Sequence, residues 1–159
     1  MNNNVQKAQP SVGFIGLGVM GHRMLANMTA HGGFNITRAW DPDRQACELV
    51  KRAYPKIVIS ESAEDLVRDR EVDVVYIASP PASHHAYALL AAAVSKAIYC
   101  EKPLGVNISS SSEMVNAVES AEVLNVVNFP FADSQPINFI ESKLADNVIV
   151  DVTGVDLRL

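Results

Sequence analysis

Three glycines near the N-terminus have the spacing of a loop that binds phosphate. Gly16, Gly18 and Gly21, with Val19 and Met20 between the last two, form a G-x-G-x-x-G pattern between an apolar run and a helical run. In such a loop the glycines permit a tight turn, close approach of a pyrophosphate and packing of helix on strand, and the phosphates rest on the helix N-terminus. The pattern predicts a dinucleotide site. The alternative is that these glycines only form a strand-to-helix turn.

An acidic residue follows this loop at the distance that a ribose contact requires. Asp41 ends the second apolar run, twenty residues after Gly21, where a carboxylate accepts both hydroxyls of an adenosine ribose. Because a carboxylate repels a 2′-phosphate, the sequence favours NAD as the cofactor, and the nearby Arg44 leaves NADP open. The alternative role for Asp41 is to cap the next helix.

The elements that must position these residues alternate along almost the whole chain. Short apolar runs followed by helical stretches are typical of repeated βα units and a parallel sheet. The predicted strands are Val12–Gly16, Ile36–Asp41, Ile57–Ile59, Val72–Ser79, Ala97–Cys100 and Val123–Phe129. A capping box at Ser62 to Asp65 begins the helix after the third strand. The fold class is therefore α/β, a doubly wound parallel sheet of the Rossmann type.

The end of the chain has a different pattern. After a predicted helix over Pro136 to Ala145, apolar residues alternate from Val148 to Leu159 with a slip at Gly154 that suggests a β-bulge. Such alternation is typical of an antiparallel strand with one wet face. The predicted organisation is a flexible tail at 1–10, a dinucleotide-binding domain at 11–145, and at 146–159 the first strand of an otherwise absent substrate or oligomerisation domain. We expect this strand to be weakly ordered or to support a homo-oligomer, since unpaired edges recruit other chains.

Composition excludes several classes of function. The net charge is −5 and the 13 basic residues are scattered, so the sequence shows no footprint for nucleic acid. No apolar run is long enough to cross a membrane, and no secretion signal precedes the first strand, so a cytoplasmic location is expected. Two separate cysteines, Cys47 and Cys100, predict neither a disulfide nor a metal site.

Two later motifs follow the predicted fourth and fifth strands. The first is Ser79-Pro80-Pro81-Ala82-Ser83-His84 and the second is Glu101-Lys102-Pro103-Leu104-Gly105. Together they resemble the glucose-fructose oxidoreductase, inositol dehydrogenase and MocA family, over Val12 to Leu159. The opening from Val12 to Gly21 is also similar to the β-hydroxyacid dehydrogenases. In that second family the catalytic lysine would lie beyond this sequence, and the Glu-Lys-Pro motif would be coincidental.

The first resemblance implies roles for individual residues. In that family the lysine of Glu-Lys-Pro lies beside the nicotinamide and hydrogen-bonds the reacting hydroxyl or carbonyl, so Lys102 is the candidate catalytic residue. Its alternative role is that of a solvated surface lysine. His84 would lie near the cofactor, with packing or capping as its alternative role. The resemblance implies that five residues of the two motifs contribute to cofactor binding: Ser79, Pro80, His84, Glu101 and Lys102.

The resemblance also implies a function, with two departures from the family pattern. Pro81 stands where many members have Asn, and Asp133 stands three residues before Pro136, where members often have Arg. The family's acid/base residues come from a second domain. We expect the NAD(P)-binding part of an oxidoreductase acting on a hydroxyl or carbonyl of a sugar, polyol or related small molecule, catalytically incomplete in this chain. A non-catalytic dinucleotide-binding sensor or regulatory module is the alternative that the departures favour.

Overall fold

Strands and helices alternate as the apolar pattern predicts. The computed structural model describes residues 9–130 and 134–148. Its strands are β1 (Ser11–Ile15), β2 (Asn35–Trp40), β3 (Val58–Ile59), β4 (Val74–Ile77), β5 (Ala97–Glu101) and β6 (Asn125–Asn128). Its helices are α1 (Val19–His31), α2 (Arg44–Ala53), α3 (Ala63–Arg68), α4 (Pro81–Ala92), α5 (Ile108–Ser120) and α6 (Gln135–Ala145). All six predicted strands are confirmed, and β3, β4 and β6 are shorter than predicted.

The strands form one parallel sheet in the order β3-β2-β1-β4-β5-β6. The order along the chain reverses between β1 and β4, so the connections that leave these two strands run to opposite sides. In open α/β sheets a ligand binds in the crevice that this reversal leaves at the carboxyl ends of the strands. The glycine loop follows β1 and the Ser79 motif follows β4, so both border the crevice.

The sheet is covered by helices on both faces, which gives two apolar layers. Along β4, Val75 and Ile77 pack in one layer, whereas Tyr76 packs with Phe14 in the other. All four of these side chains are fully buried. Burying an aliphatic or aromatic side chain stabilises the fold by about 1.5–3 kcal/mol, so β4 is a central support for the site at its end.

The predicted cap of α3 is formed in a modified way. The hydroxyl of Ser62 accepts a hydrogen bond from the Asp65 amide at 3.0 Å, as expected. The Asp65 carboxylate accepts the Ser62 hydroxyl at 2.8 Å, whereas the sequence predicted that it would serve a backbone amide. An aspartate is one methylene shorter than the glutamate of a full capping box, and the hydroxyl is within its reach.

The chain divides into two compact units, residues 1–128 and residues 129–159. In the second unit, α6 begins after Ser134 with Pro136 in its first turn, which confirms the helix predicted there. The strand predicted over 146–159 and the departure at Asp133 lie outside the described residues, apart from residues 146–148, so they stay predictions. None of the helices in the described part of the chain is long and apolar enough to cross a membrane.

Candidate functional site

The three glycines of the loop after β1 are required for different reasons. Gly16 has φ +98°, and a Cβ atom there would lie 2.5 Å from backbone atoms of Ala78 and Ser79. A Cβ on Gly21 would overlap the carbonyl oxygen of Gly16, so α1 packs directly on the loop. A Cβ on Gly18 would meet no atom within 4 Å. The first two glycines therefore build the turn, and Gly18 leaves open space where a ligand can approach the backbone.

The first turn of α1 offers unpaired amides to that space. Gly18 is the N-cap and makes no side-chain capping bond, and the first turn holds no acidic residue. The amide groups of such a turn carry partial positive charge and are satisfied by an anion as well as by a cap. The loop therefore fits a pyrophosphate, and Val19 and Met20 line the same space.

Asp41 lies against the glycine loop and holds it in place. One carboxylate oxygen accepts the Leu17 amide at 2.6 Å, and the other accepts the Asp43 amide at 2.8 Å. The cap of α2 is Asp43, whose carboxylate accepts the Gln45 amide at 2.9 Å, so capping this helix does not account for Asp41. Since each carboxylate oxygen has a second lone pair, Asp41 retains the capacity to accept hydroxyl groups.

A groove of about 450 Å³ joins the loop, Asp41 and the end of β4. Trp40 and Tyr87 form one wall, with ring centroids 6.0 Å apart in an edge-to-face arrangement. Burial and the nearby charge of Asp41 raise the pKa of Tyr87. The predicted site residues that line this groove are Gly16, Gly18, Val19, Met20, Asp41, Ser79 and Pro80.

The motif after β4 also lines this groove, through Ser79, Pro80 and Ser83. Pro81 is the first residue of α4, a position that suits proline because the amide there has no helical partner. The hydroxyl of Ser83 lies 2.8 Å from both the Ser79 hydroxyl and the Pro80 carbonyl oxygen. These two hydrogen bonds connect the turn to the start of α4. Pro81 contributes none, because proline has no amide proton and no side-chain donor.

His84 does not line the groove. It is 1% exposed, and both ring nitrogens face carbonyl oxygens of the chain itself. Nε2 lies 2.7 Å from the Ser79 oxygen, and Nδ1 lies 3.0 Å from the Pro103 oxygen. The imidazole therefore connects the motif after β4 with the motif after β5.

Lys102 follows β5 directly, at the same edge of the sheet. Its side chain is exposed, the Lys102–Pro103 peptide is cis, and the ammonium has no partner among the described residues. Glu101, one residue earlier, is 4% exposed and accepts hydrogen bonds from the Tyr76 hydroxyl and from the Asn128 amide, the latter at 2.6 Å. The residues on both sides of Lys102 are therefore anchored, while its amine is free.

Sequence reasoning missed Tyr76 and Asn128. Burial and the hydrogen bond to Glu101 raise the pKa of the Tyr76 phenol, so it stays a hydrogen-bond donor. The Tyr99 hydroxyl donates to the Asn128 side-chain oxygen at 3.2 Å, which completes the chain of contacts. A polar hydroxyl in the otherwise aliphatic β4 was the available signal for Tyr76, since a buried tyrosine usually finds a partner.

The cysteines take no part in this site. Burial and the charge of Glu101 raise the pKa of Cys100 to about 12, and burial raises the pKa of Cys47. A thiol with a raised pKa is a weak nucleophile because the thiolate is the reactive form. Over residues 9–130 and 134–148, no group of His, Cys, Asp and Glu side chains could hold a metal ion.

The strand order, the glycine loop at the reversal point and the acidic residue after β2 define a dinucleotide-binding Rossmann domain. Residues 11–129 match the model of the Gfo/Idh/MocA family, described as an oxidoreductase family with an NAD-binding Rossmann fold. The chain therefore belongs to this family and carries its NAD-binding domain. The first of the two resemblances is confirmed.

Individual relatives have related activities. Inositol 2-dehydrogenase of Paracoccus denitrificans is 30% identical over 151 residues, which are 93% of this chain and 44% of that protein. Trans-1,2-dihydrobenzene-1,2-diol dehydrogenase of Oryctolagus cuniculus is 36% identical over 96 residues, 57% of this chain and 28% of that protein. The crystal structure of myo-inositol dehydrogenase from Lactobacillus casei, in complex with NAD(H) and myo-inositol, matches with a TM-score of 0.83 and 26% identity, covering 88% of this chain and 42% of that one. This chain spans less than half the length of these relatives.

Proposed function

We propose that this chain binds NAD for the oxidation or reduction of a hydroxyl or carbonyl group on a sugar, a polyol or a related small molecule. The observation that carries the proposal is the free ammonium of Lys102 at the end of β5. It lies on the same sheet edge as the glycine loop, and its neighbours are anchored. The relatives named as inositol dehydrogenases support a substrate with several hydroxyl groups.

Different residues of the groove bind different parts of the cofactor. The amides of the first turn of α1 donate to the pyrophosphate, and Asp41 accepts the hydroxyls of the adenosine ribose. Ser79 and Pro80 border the groove on the side of β4. NAD, when bound, takes hydride from the carbon that carries the reacting hydroxyl. Lys102 donates a hydrogen bond to the oxygen on that carbon and orients it.

Glu101 and His84, the two titratable side chains that organise the turn around Lys102, are not free proton acceptors. Glu101 is buried and accepts two hydrogen bonds, and both nitrogens of His84 face carbonyl oxygens. Oxidation of a hydroxyl also needs a base for its proton. The proposal therefore assigns cofactor binding and orientation of the substrate oxygen to this chain, and assigns the base to a group outside the described residues.

The adenosine half of the groove can be tested directly because Trp40 is the only tryptophan of the chain and lines the groove. We expect NAD to quench the Trp40 fluorescence to saturation, with NAD binding about tenfold more tightly than NADP because Asp41 gains hydrogen bonds only from the free ribose. Nicotinamide mononucleotide, which lacks the adenosine, is the control and should quench weakly. The absence of a saturable change, or tighter binding of NADP, would contradict the proposal.

Turnover is the second test. We expect this chain to form NADH from myo-inositol about 10²–10⁴-fold more slowly than inositol 2-dehydrogenase of Paracoccus denitrificans, since a positioned base contributes a factor of that size. Glucose should be oxidised no faster. The measurement is NADH absorbance over time, with Lys102→Met as the control. An ordinary rate that depends on Lys102 would show that the described residues suffice.

A second candidate function is a non-catalytic sensor of the dinucleotide. Pro81 favours it, because proline offers no amide or side-chain donor where many family members have Asn. A sensor would bind NAD in the same groove. The two functions differ at Lys102, because a sensor does not need that amine for binding or signalling.

A further inference from the structure

The contacts on the two sides of His84 belong to different motifs. The imidazole spans from the Ser79 oxygen, after β4, to the Pro103 oxygen, after β5. It is 1% exposed, so water does not compete for these contacts. A carbonyl oxygen only accepts, so each hydrogen bond of these contacts is donated by the ring. A neutral imidazole carries one N–H and donates to one of the two oxygens, whereas a protonated ring donates to both. We call Ser79, His84 and Pro103 the His84 bridge.

The His84 bridge restrains the backbone next to Lys102, because Pro103 is the next residue in the chain. On the other side of Lys102, the Glu101 carboxylate is held by Tyr76 and Asn128. The ammonium itself has no partner among the described residues, so no side-chain contact there sets its direction. The backbone of Lys102 therefore sets the direction in which the side chain leaves the sheet edge. On its C-terminal side this backbone is held by the contact between the Pro103 oxygen and His84.

We propose that His84 is a positioning residue, which holds the turn after β5 through the Pro103 oxygen and thereby aims Lys102 at the place that the nicotinamide of a bound NAD would take. The inference rests on the proposed function, since it needs a cofactor in the groove. It replaces direct contact with the cofactor as the role of His84. The contact to Ser79 anchors the imidazole, and the contact to Pro103 transmits its position to Lys102.

Two amide substitutions separate these contacts. The side-chain nitrogen of asparagine occupies the place of Nδ1, so His84→Asn retains a donor toward Pro103. The side-chain nitrogen of glutamine occupies the place of Nε2, so His84→Gln retains a donor toward Ser79 only. Both variants bury one neutral amide, which makes them matched controls for each other.

The position of Lys102 can be read with NAD whose riboses have been oxidised to dialdehydes by periodate. A dialdehyde condenses with a lysine amine to an imine with loss of water, and borohydride then reduces the imine to a stable amine that mass spectrometry locates. The aldehydes of the nicotinamide ribose report on Lys102. Those of the adenosine ribose report on Lys51, which lines the cavity beside Asp41 and serves as an internal control.

We expect His84→Gln to slow the labelling of Lys102 by about tenfold or more, since a displacement of about 1 Å has effects of that size. His84→Asn should label Lys102 within about twofold of the unmodified protein. Labelling of Lys51 and quenching of Trp40 should not change in either variant. Equal labelling of Lys102 in both variants, whether fast or slow, would overturn the inference.

Two further outcomes separate the inference from the proposed function. If NAD itself does not quench Trp40 in the unmodified protein, the proposed function fails. If NAD quenches Trp40 and the oxidised NAD labels Lys51 but not Lys102, the inference fails. Should His84→Gln not fold, nitrogen-15 NMR of labelled histidine in the unmodified protein decides: a slowly exchanging proton on Nδ1 supports the bridge, and an Nδ1 without a proton overturns it.

Discussion

Replacing Gly21 by alanine is expected to lower the free energy of unfolding by about 2–3 kcal/mol. The new Cβ would overlap the carbonyl oxygen of Gly16, a backbone atom, so the loop or α1 has to move. Overpacking of this kind costs about 1–3 kcal/mol, and a backbone neighbour yields less readily than a side chain. Urea denaturation followed by circular dichroism measures the change, and binding of NAD should be lost with the geometry of the loop.

Gly18→Ala is the matched control for that substitution. Its Cβ would meet no atom within 4 Å, and the backbone there is extended, so stability should change by less than about 1 kcal/mol. Affinity for NAD should nevertheless fall by about tenfold or more, because the methyl group would lie where the pyrophosphate approaches the backbone. Unchanged affinity in Gly18→Ala would show that the pyrophosphate binds elsewhere, and unchanged stability in Gly21→Ala would contradict the packing.

Replacing Asp41 by alanine is expected to lower the affinity of the protein for NAD by about 10- to 100-fold. Hydrogen bonds to a charged group contribute about 1.5–3 kcal/mol, and this carboxylate both accepts the Leu17 amide and faces the groove. NADP should lose less affinity, because the repulsion of its 2′-phosphate disappears with the carboxylate. Titration of Trp40 fluorescence with both cofactors measures the ratio.

Two controls separate the roles of Asp41. Asp41→Asn keeps one oxygen that can accept the Leu17 amide, whereas its side-chain nitrogen cannot accept the Asp43 amide. It should therefore retain the contact to the glycine loop while shifting the preference toward NADP. Asp43→Ala removes the cap of α2, which costs about 0.5–2 kcal/mol, and should leave the ratio of the two affinities unchanged. If all three variants keep the unmodified protein's ratio of NAD to NADP affinity, Asp41 does not contact the adenosine ribose.

Much of the fold and part of the site could be predicted from the sequence because they depend on local pattern. The apolar runs predicted all six strands, and the continuous run at β4 fits a strand that is covered on both faces of the sheet. The spacing of the glycines and Asp41 placed them at one groove, since the carboxyl ends of β1 and β2 meet at the same edge. The position of Lys102 came from a three-residue motif at a strand end.

The contacts that organise the site depend on the tertiary structure. Glu101 meets Asn128 because the register of β5 and β6 pairs these two residues, and a slip of one residue would turn their side chains to the other face. His84 reaches Pro103 only once α4 and the turn after β5 are packed together. The sequence by itself determined the end of each strand to within two residues, because that follows from local composition. Only the packed sheet decided which of their polar atoms meet, because register and helix packing join residues that are distant in the chain.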